Sequence, residues 1–322
     1  MEPFAAAGVK DVVATYVNRV DLNLTRNHHS LSYGPNQVAA YVCNHLGPSD
    51  ETQAAADAAI DNALNGKNLV ACVAMDYSVT KSVNGDQPFT RFLIFGPSGR
   101  LLPSVNLDGR HEKFVPGVCV ACHGGDKYAG RFSESGPGFA DIGAHFLPYD
   151  NGNFRFSTKS GLALTDLQGA IHALNMNVMQ SGPNTATTEL IQGWYLGGTA
   201  TLDPNYVPTS WQARPFADQS FYKNVYAHSC RTCHVAFTET LNLDHYANMI
   251  TPSPPPLMED GTLRTRLSVC GGSASFVRTF SMPNSLRTLD LFWGSAGSAV
   301  DQPATVSTFV GAPCAIRTSP IP

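Results

Sequence analysis

The pentapeptide Cys-x-x-Cys-His occurs twice in this chain, as Cys119-Val-Ala-Cys122-His123 and as Cys230-Arg-Thr-Cys233-His234. This spacing is the attachment signature for covalently bound haem, in which the two sulfurs form thioethers to the porphyrin and the adjacent histidine reaches the iron. A Cys-x-x-Cys pair alone could be a redox dithiol or half of a zinc site, but neither needs the trailing histidine. The motifs therefore predict two covalently bound haem c groups, and the chain must fold around two large apolar rings.

The two motifs make the chain resemble the c-type cytochromes, and its C-terminal part resembles class I cytochrome c. In that class a Met-Pro pair ahead of a C-terminal helix supplies the second axial ligand of the iron. Met282-Pro283 precedes an apolar segment at 286–293, so the resemblance implies that Met282 ligates the second haem, with Met249 and Met258 as lesser candidates. Ligation by histidine and methionine implies a low-spin iron with a raised potential.

The second ligand of the first haem has several candidates. His145 lies between apolar neighbours in Gly-Ala-His-Phe-Leu-Pro, close in sequence to the first motif, and is the leading choice. The alternatives are an open iron, a histidine from the N-terminal region, or a helix that presents three possible ligands at i, i+4 and i+7. These alternative residues are His28, His29, His172, Met176 and Met179.

Four further cysteines remain after the haem motifs, and four thiols allow three pairings. The local pairing joins Cys43 to Cys72 and Cys270 to Cys314. Disulfides persist in oxidising compartments. Covalent haem attachment also takes place outside the cytoplasm, so both features point to an exported protein. The start of the chain has no basic region followed by an apolar core, so it is not a signal peptide. We therefore expect a periplasmic or extracellular protein whose leader is absent from this sequence.

Periodicity predicts a mainly α protein with a small β-containing N-terminal region, and the resemblance to class I cytochrome c implies a cytochrome c-like helical haem domain at the C-terminus. Apolar spacing indicates helices at 4–18, 37–46 and 51–64, the third with Asp50 as N-cap, then a strand at 68–75 and a hairpin around Gly96-Pro97-Ser98-Gly99. Further helices are predicted at 164–180, 187–195 and 219–235. The expected organisation is an α/β region at 1–110, a first haem region at 111–215 and a second haem domain at 216–322.

Charge and hydropathy exclude several classes of partner. The formal net charge is −4 and only 14% of the residues are charged. The chain has no basic stripe, which argues against nucleic-acid binding, and no apolar stretch of membrane-spanning length. We therefore expect redox partner proteins. The sequence does not specify an oligomeric state.

These features favour a dihaem protein that transfers electrons in the periplasm or at the cell exterior. The first alternative is an enzyme, a dihaem peroxidase or oxidase in which one haem feeds electrons to an open one. The second alternative is a structural subunit of a respiratory complex or of a haem filament. No phosphate-binding loop, nucleophile elbow or His-Glu-x-x-His motif is present.

Overall fold

An antiparallel sheet dominates the first half of the computed structural model, which describes residues 11–125, 141–237, 242–250 and 286–311. Its seven strands are ordered β6-β5-β4-β3-β2-β1-β9. They are β1 (Val12–Asn18), β2 (Leu24–Gly34), β3 (Gln37–His45), β4 (Leu69–Ser78), β5 (Phe89–Phe95), β6 (Leu101–Leu102) and β9 (Phe154–Arg155), while β7 (Ser104–Val105) and β8 (Lys113–Phe114) form a separate pair.

The register of the strands divides the sheet into two faces. His28 of β2 pairs with Ala14 of β1 and with Val42 of β3, so these three side chains project from one face. We call it the motif face, because the first Cys-x-x-Cys-His helix packs against it. The next residue, His29, pairs with Tyr41 and projects from the opposite face.

The opposite face is covered by helix α1 (Gln53–Leu64), which buries Ala56 and Ile60 against Val17 of β1. Thr52 caps this helix by accepting a hydrogen bond from the main-chain N–H of Ala55. Asp50, the predicted N-cap, instead accepts from the main-chain N–H of Thr52 at 2.8 Å. The helix itself is confirmed, and the predicted cap lies two residues too early.

Helices α3 (Leu164–Met179) and α4 (Thr185–Trp194) lie over the motif face. They bury Ile171, Leu174 and Leu190 in the same core cluster as Ala14 and Ala40 of the sheet. Both helices, the strand at Leu69–Ser78 and the hairpin at Gly96–Gly99 confirm the corresponding sequence predictions.

The rest of the described chain is helical and surrounds a second core centred on Trp211, which is fully buried. Trp211 contacts Phe221, Tyr222, Tyr246 and Phe309. The predicted helix at 219–235 is broken into short pieces by a π-helical segment at Tyr222–Tyr226. The elements here are α5 (Thr209–Gln212), α6 (Phe216–Phe221), α7 (Ala227–Ser229), α8 (Arg231–His234), α9 (Tyr246–Ile250), α10 (Leu286–Gly294) and α11 (Gln302–Val310); the first motif lies on α2 (Gly117–His123).

The prediction of a mainly α protein with a cytochrome c-like helical domain is wrong, because a seven-stranded antiparallel sheet forms the N-terminal part. Two segments predicted as helices, 4–18 and 37–46, contain β1 and β3 instead. Residues 14–18 of β1 are buried in succession and no residue of β3 is fully exposed, so their apolar residues do not alternate strictly with polar ones. A short apolar run of this kind cannot be told from a buried helix by periodicity alone.

Candidate functional site

The first motif forms one wall of a cavity against the motif face of the sheet. Helix α2 contributes Cys119, Cys122 and His123 to this wall. The sheet contributes an apolar floor of Val42, Val73, Met75, Phe92 and Ile94. The cleft between these walls is partly open to solvent, and charged side chains such as Arg26 and Lys113 also line it. An apolar cleft with polar groups at defined places is the usual form of a cofactor site.

His123 is held in a defined orientation by the main chain of His145. Its Nδ1 donates to the main-chain oxygen of His145 at 2.9 Å, and the N–H of His145 donates to the oxygen of His123 at 2.9 Å. Nδ1 therefore carries the proton, and Nε2 is left with its lone pair. Burial lowers the pKa of His123 to about 4, partly offset by the hydrogen bond to His145. The imidazole is neutral at pH 7, as an iron ligand must be.

The second motif is anchored by a buried ion pair. Arg231, the first variable residue of Cys230-Arg-Thr-Cys233-His234, reaches Asp150 Oδ2 with Nε at 3.1 Å and with its second terminal nitrogen at 2.5 Å. Its other terminal nitrogen donates to the hydroxyl of Tyr222 at 3.2 Å. Asp244 accepts from Tyr222 and Tyr226 and completes this polar cluster. The cluster ties α8 to the loop before β9.

The two motifs meet at their second cysteines. The side chain of Cys122 interacts with the thiol of Cys233 and, together with burial, raises the pKa of Cys233 well above its ordinary value. Close by, Gly124 follows the first motif with φ +70, and a Cβ added to it would lie 2.2 Å from the main-chain oxygen of Ala236. Only glycine permits this approach of the two chain segments. Two motifs that are distant in sequence therefore form a single site.

The cysteines of the motifs do not have the properties of redox or zinc-binding thiols. None of the four is disulfide-bonded. Burial raises the pKa of Cys119 and of Cys230 to about 12, whereas a reactive dithiol needs a lowered pKa. Within the described ranges, no three His, Cys, Asp or Glu side chains are gathered as a metal-binding group. Thioether attachment, which uses neutral sulfur, fits this environment.

Three polar residues of the cavity lining, Tyr149, Tyr16 and Arg26, were not predicted from the sequence. Tyr149 and Tyr16 place their hydroxyls 2.5 Å from Nε2 and 3.4 Å from Nδ1 of His28. Arg26 lies two residues before His28 in β2, so its side chain is on the same face of the sheet. It approaches Asp21 at 3.8 Å. The i, i+2 spacing of Arg26 and His28 was the available signal, but it has meaning only in a strand.

The candidate ligands for the first haem are well separated in the structure. His28 lines the cavity. Burial, together with the positive charge of Arg26, lowers its pKa to about 3. His29 projects from the other face of the sheet, where it bonds Asp11 at 2.7 Å and stacks on Tyr41.

The other candidates lie away from the cavity wall. His145 turns its ring to the main-chain oxygen of Gly182. His172 packs edge-on against Tyr195, with ring centroids 4.6 Å apart. Met176 and Met179 pack against the core cluster on α3.

For the second haem, the described residues leave the leading prediction open. Met282 and Met258 lie outside the described residues, as do Cys270 and Cys314. Met249 is fully buried in the Trp211 core, which also contacts Cys230. The disulfide between Cys43 and Cys72 is confirmed, and it joins directly opposed residues of β3 and β4.

Comparison with known proteins finds no family model that matches the chain, and no similar protein among curated sequences or solved structures. Together with the seven-stranded antiparallel sheet, this corrects the assignment to the c-type cytochromes and the likeness of the C-terminal part to class I cytochrome c. In the parts of the chain that the structure describes, no helix is long and apolar enough to cross a membrane.

Proposed function

We propose that this chain binds two haem groups covalently, one at each Cys-x-x-Cys-His motif, and serves as an electron-transfer protein outside the cytoplasm. The observation that carries the proposal is the close approach of the two motif segments, where Gly124 meets the main chain of Ala236 and Cys122 interacts with Cys233. Bound haem supplies reversible one-electron chemistry. The chain contributes adjacent attachment points, so that an electron could pass from one redox group to the other.

Several residues fit a haem at the first motif. Cys119 and Cys122 supply the sulfurs, and His123 offers Nε2 to the iron from a ring that packs edge-on against Phe92 at 5.3 Å. The sheet provides an apolar floor. Arg26 and Lys113 line the cavity beside Asp21 and Asp108. These two cations would have to exchange their present partners for the two propionates. At the second motif, Cys230, Cys233 and His234 would take the same roles.

The disulfide between Cys43 and Cys72 supports a location in an oxidising compartment. The periplasm or the cell exterior would meet this requirement and also the site of haem attachment. Redox proteins would be the partners.

The test is to count and locate covalent haem after expression in a host that attaches it. We expect two haems per chain that resist extraction by acidified acetone. The double variant Cys119→Ser/Cys122→Ser should lose only the first, and Cys230→Ser/Cys233→Ser only the second. Cys43→Ser/Cys72→Ser is the matched control and should retain both. Extraction of either haem from the wild type would refute the proposal at that motif.

An enzyme with one open haem is the second candidate. The polar groups around His28 favour it, because a histidine, an arginine and two tyrosines can transfer protons and stabilise charge beside an open iron. The discriminating measurement is the reaction of the wild type with cyanide or peroxide. Rapid binding at one haem supports a peroxidase or oxidase, and resistance at both supports a carrier.

A further inference from the structure

We propose that His28 is the second axial ligand of the iron held by His123. The inference rests on the proposed function, since it requires a haem at the first motif. It replaces His145 and the remaining candidates with one side chain that lines the same cavity as His123. His28 and His123 lie on the two structures that enclose the cavity, the sheet and helix α2.

The strand register determines which of the two adjacent histidines, His28 or His29, projects into the cavity. Successive side chains of a strand project from opposite faces, so only one of His28 and His29 can enter the cavity. Pairing with Ala14 and Val42 places His28 on the motif face, and Val42 itself lines the cavity. His29 lies with Tyr41 on the other face.

The two tyrosines provide support that an axial histidine requires. An imidazole bound to a metal through one nitrogen usually donates its other N–H to a neighbouring oxygen, which fixes the ring. The hydroxyls of Tyr149 and Tyr16 face the two nitrogens of His28. If the iron takes either nitrogen, one hydroxyl remains to hold the ring.

The side chains of the other histidine candidates lie outside the cavity lining. The main chain of His145 supports His123, and its ring faces Gly182. On α3, His172 packs against Tyr195. None of these rings belongs to the described cavity lining, whereas His28 does.

The experiment compares His28→Ala, His28→Met and the control His29→Ala by electron paramagnetic resonance and redox titration. In His28→Ala we expect one of the two haems to lose its low-spin signal and to bind cyanide. His28→Met should keep that haem low-spin and raise its potential, because a thioether favours ferrous iron relative to imidazole. His29→Ala should leave both haems unchanged.

Retention of the second haem and of the Cys43–Cys72 disulfide shows that a variant has folded, and the Met variant tests ligation without opening the cavity. A low-spin haem of unchanged potential in both His28 variants overturns the ligand assignment. So does a wild-type first haem that is already high-spin and binds cyanide. Absence of haem from the wild-type peptide that contains Cys119 and Cys122 overturns the proposed function itself, which separates the two failures.

Discussion

Nδ1 of His123 lies 2.9 Å from the main-chain oxygen of His145. The main-chain oxygen of His145 thus orients the ring of His123. Any amino acid at position 145 would offer the same oxygen. Burial lowers the pKa of the His145 side chain, and hydrogen bonding to the main chain of Gly182 and the charge of Asp141 partly offset this effect.

We therefore expect His145→Ala to leave the spin state and the potential of the first haem unchanged. The free energy of unfolding should fall by about 1 kcal/mol, the usual net value of one hydrogen bond. Redox titration and denaturant unfolding measure the two effects. A high-spin first haem in this variant would restore His145 as its ligand.

Gly124→Ala should force the two motifs apart. The added Cβ would lie 2.2 Å from the oxygen of Ala236, on a residue with φ +70. Gly161→Ala is the matched control, since Gly161 has φ +79 and no neighbour within 4 Å. The control should cost about 1 kcal/mol from backbone strain alone, and Gly124→Ala should cost more. Magnetic coupling between the haems should weaken only in Gly124→Ala; equal effects of both substitutions would contradict the close approach.

Arg231→Met should destabilise the protein by about 3–5 kcal/mol, because it leaves Asp150 buried without its cation. Both side chains are largely buried, at 8% and 12% exposure. The double variant Arg231→Met/Asp150→Asn should recover part of this loss. Lys159→Met, which breaks the exposed pair with Asp61, serves as control and should cost less than about 1 kcal/mol. Denaturant unfolding of the four proteins gives the comparison.

Glu51 should make the free energy of unfolding depend on pH in the acidic range. Burial would raise its pKa, but hydrogen bonds from Arg287 and Arg19 and the charges of Arg287 and Arg155 lower it to about 2. A carboxyl with a depressed pKa contributes stability above its ordinary pKa of 4.5, and this contribution disappears as the pH falls towards 2.

Glu51→Gln should therefore lower the free energy of unfolding at pH 7 and flatten its dependence on pH between these values. Because the carboxylate is 47% exposed, added salt should reduce the difference. Unfolding curves at several pH values test this, with Glu112→Gln at an exposed position as control. Parallel pH profiles for the wild type and Glu51→Gln would refute the role of Glu51.

Cys43→Ala/Cys72→Ala should lower the free energy of unfolding by about 3–4 kcal/mol, because the disulfide closes a loop with a sequence separation of 29. Both haems should remain attached, since the disulfide lies on the face of the sheet opposite the cavity. Unfolding by denaturant and mass mapping of haem peptides check the two expectations. Loss of haem would mean that the disulfide is needed to form the cavity.

The sequence alone determined the local chemistry. Two five-residue motifs name the residues that we propose for haem attachment, because their spacing is a property of one helical turn. Cys43–Cys72 could also be named from the sequence, as could α1, α3 and α4. The caps, turns and periodicity that define these helices lie within the segments themselves.

Only the tertiary structure decided how the motifs are used. The apolar residues of β1 and β3 do not alternate regularly with polar ones, so their sequences could not reveal a sheet, and the choice between His28 and His29 depends on strand register. The contact of Cys122 with Cys233 and the support of His123 by His145 join residues that no periodicity relates. A strand turns alternate side chains to opposite faces, and only its pairing with neighbours fixes which face encloses the cavity.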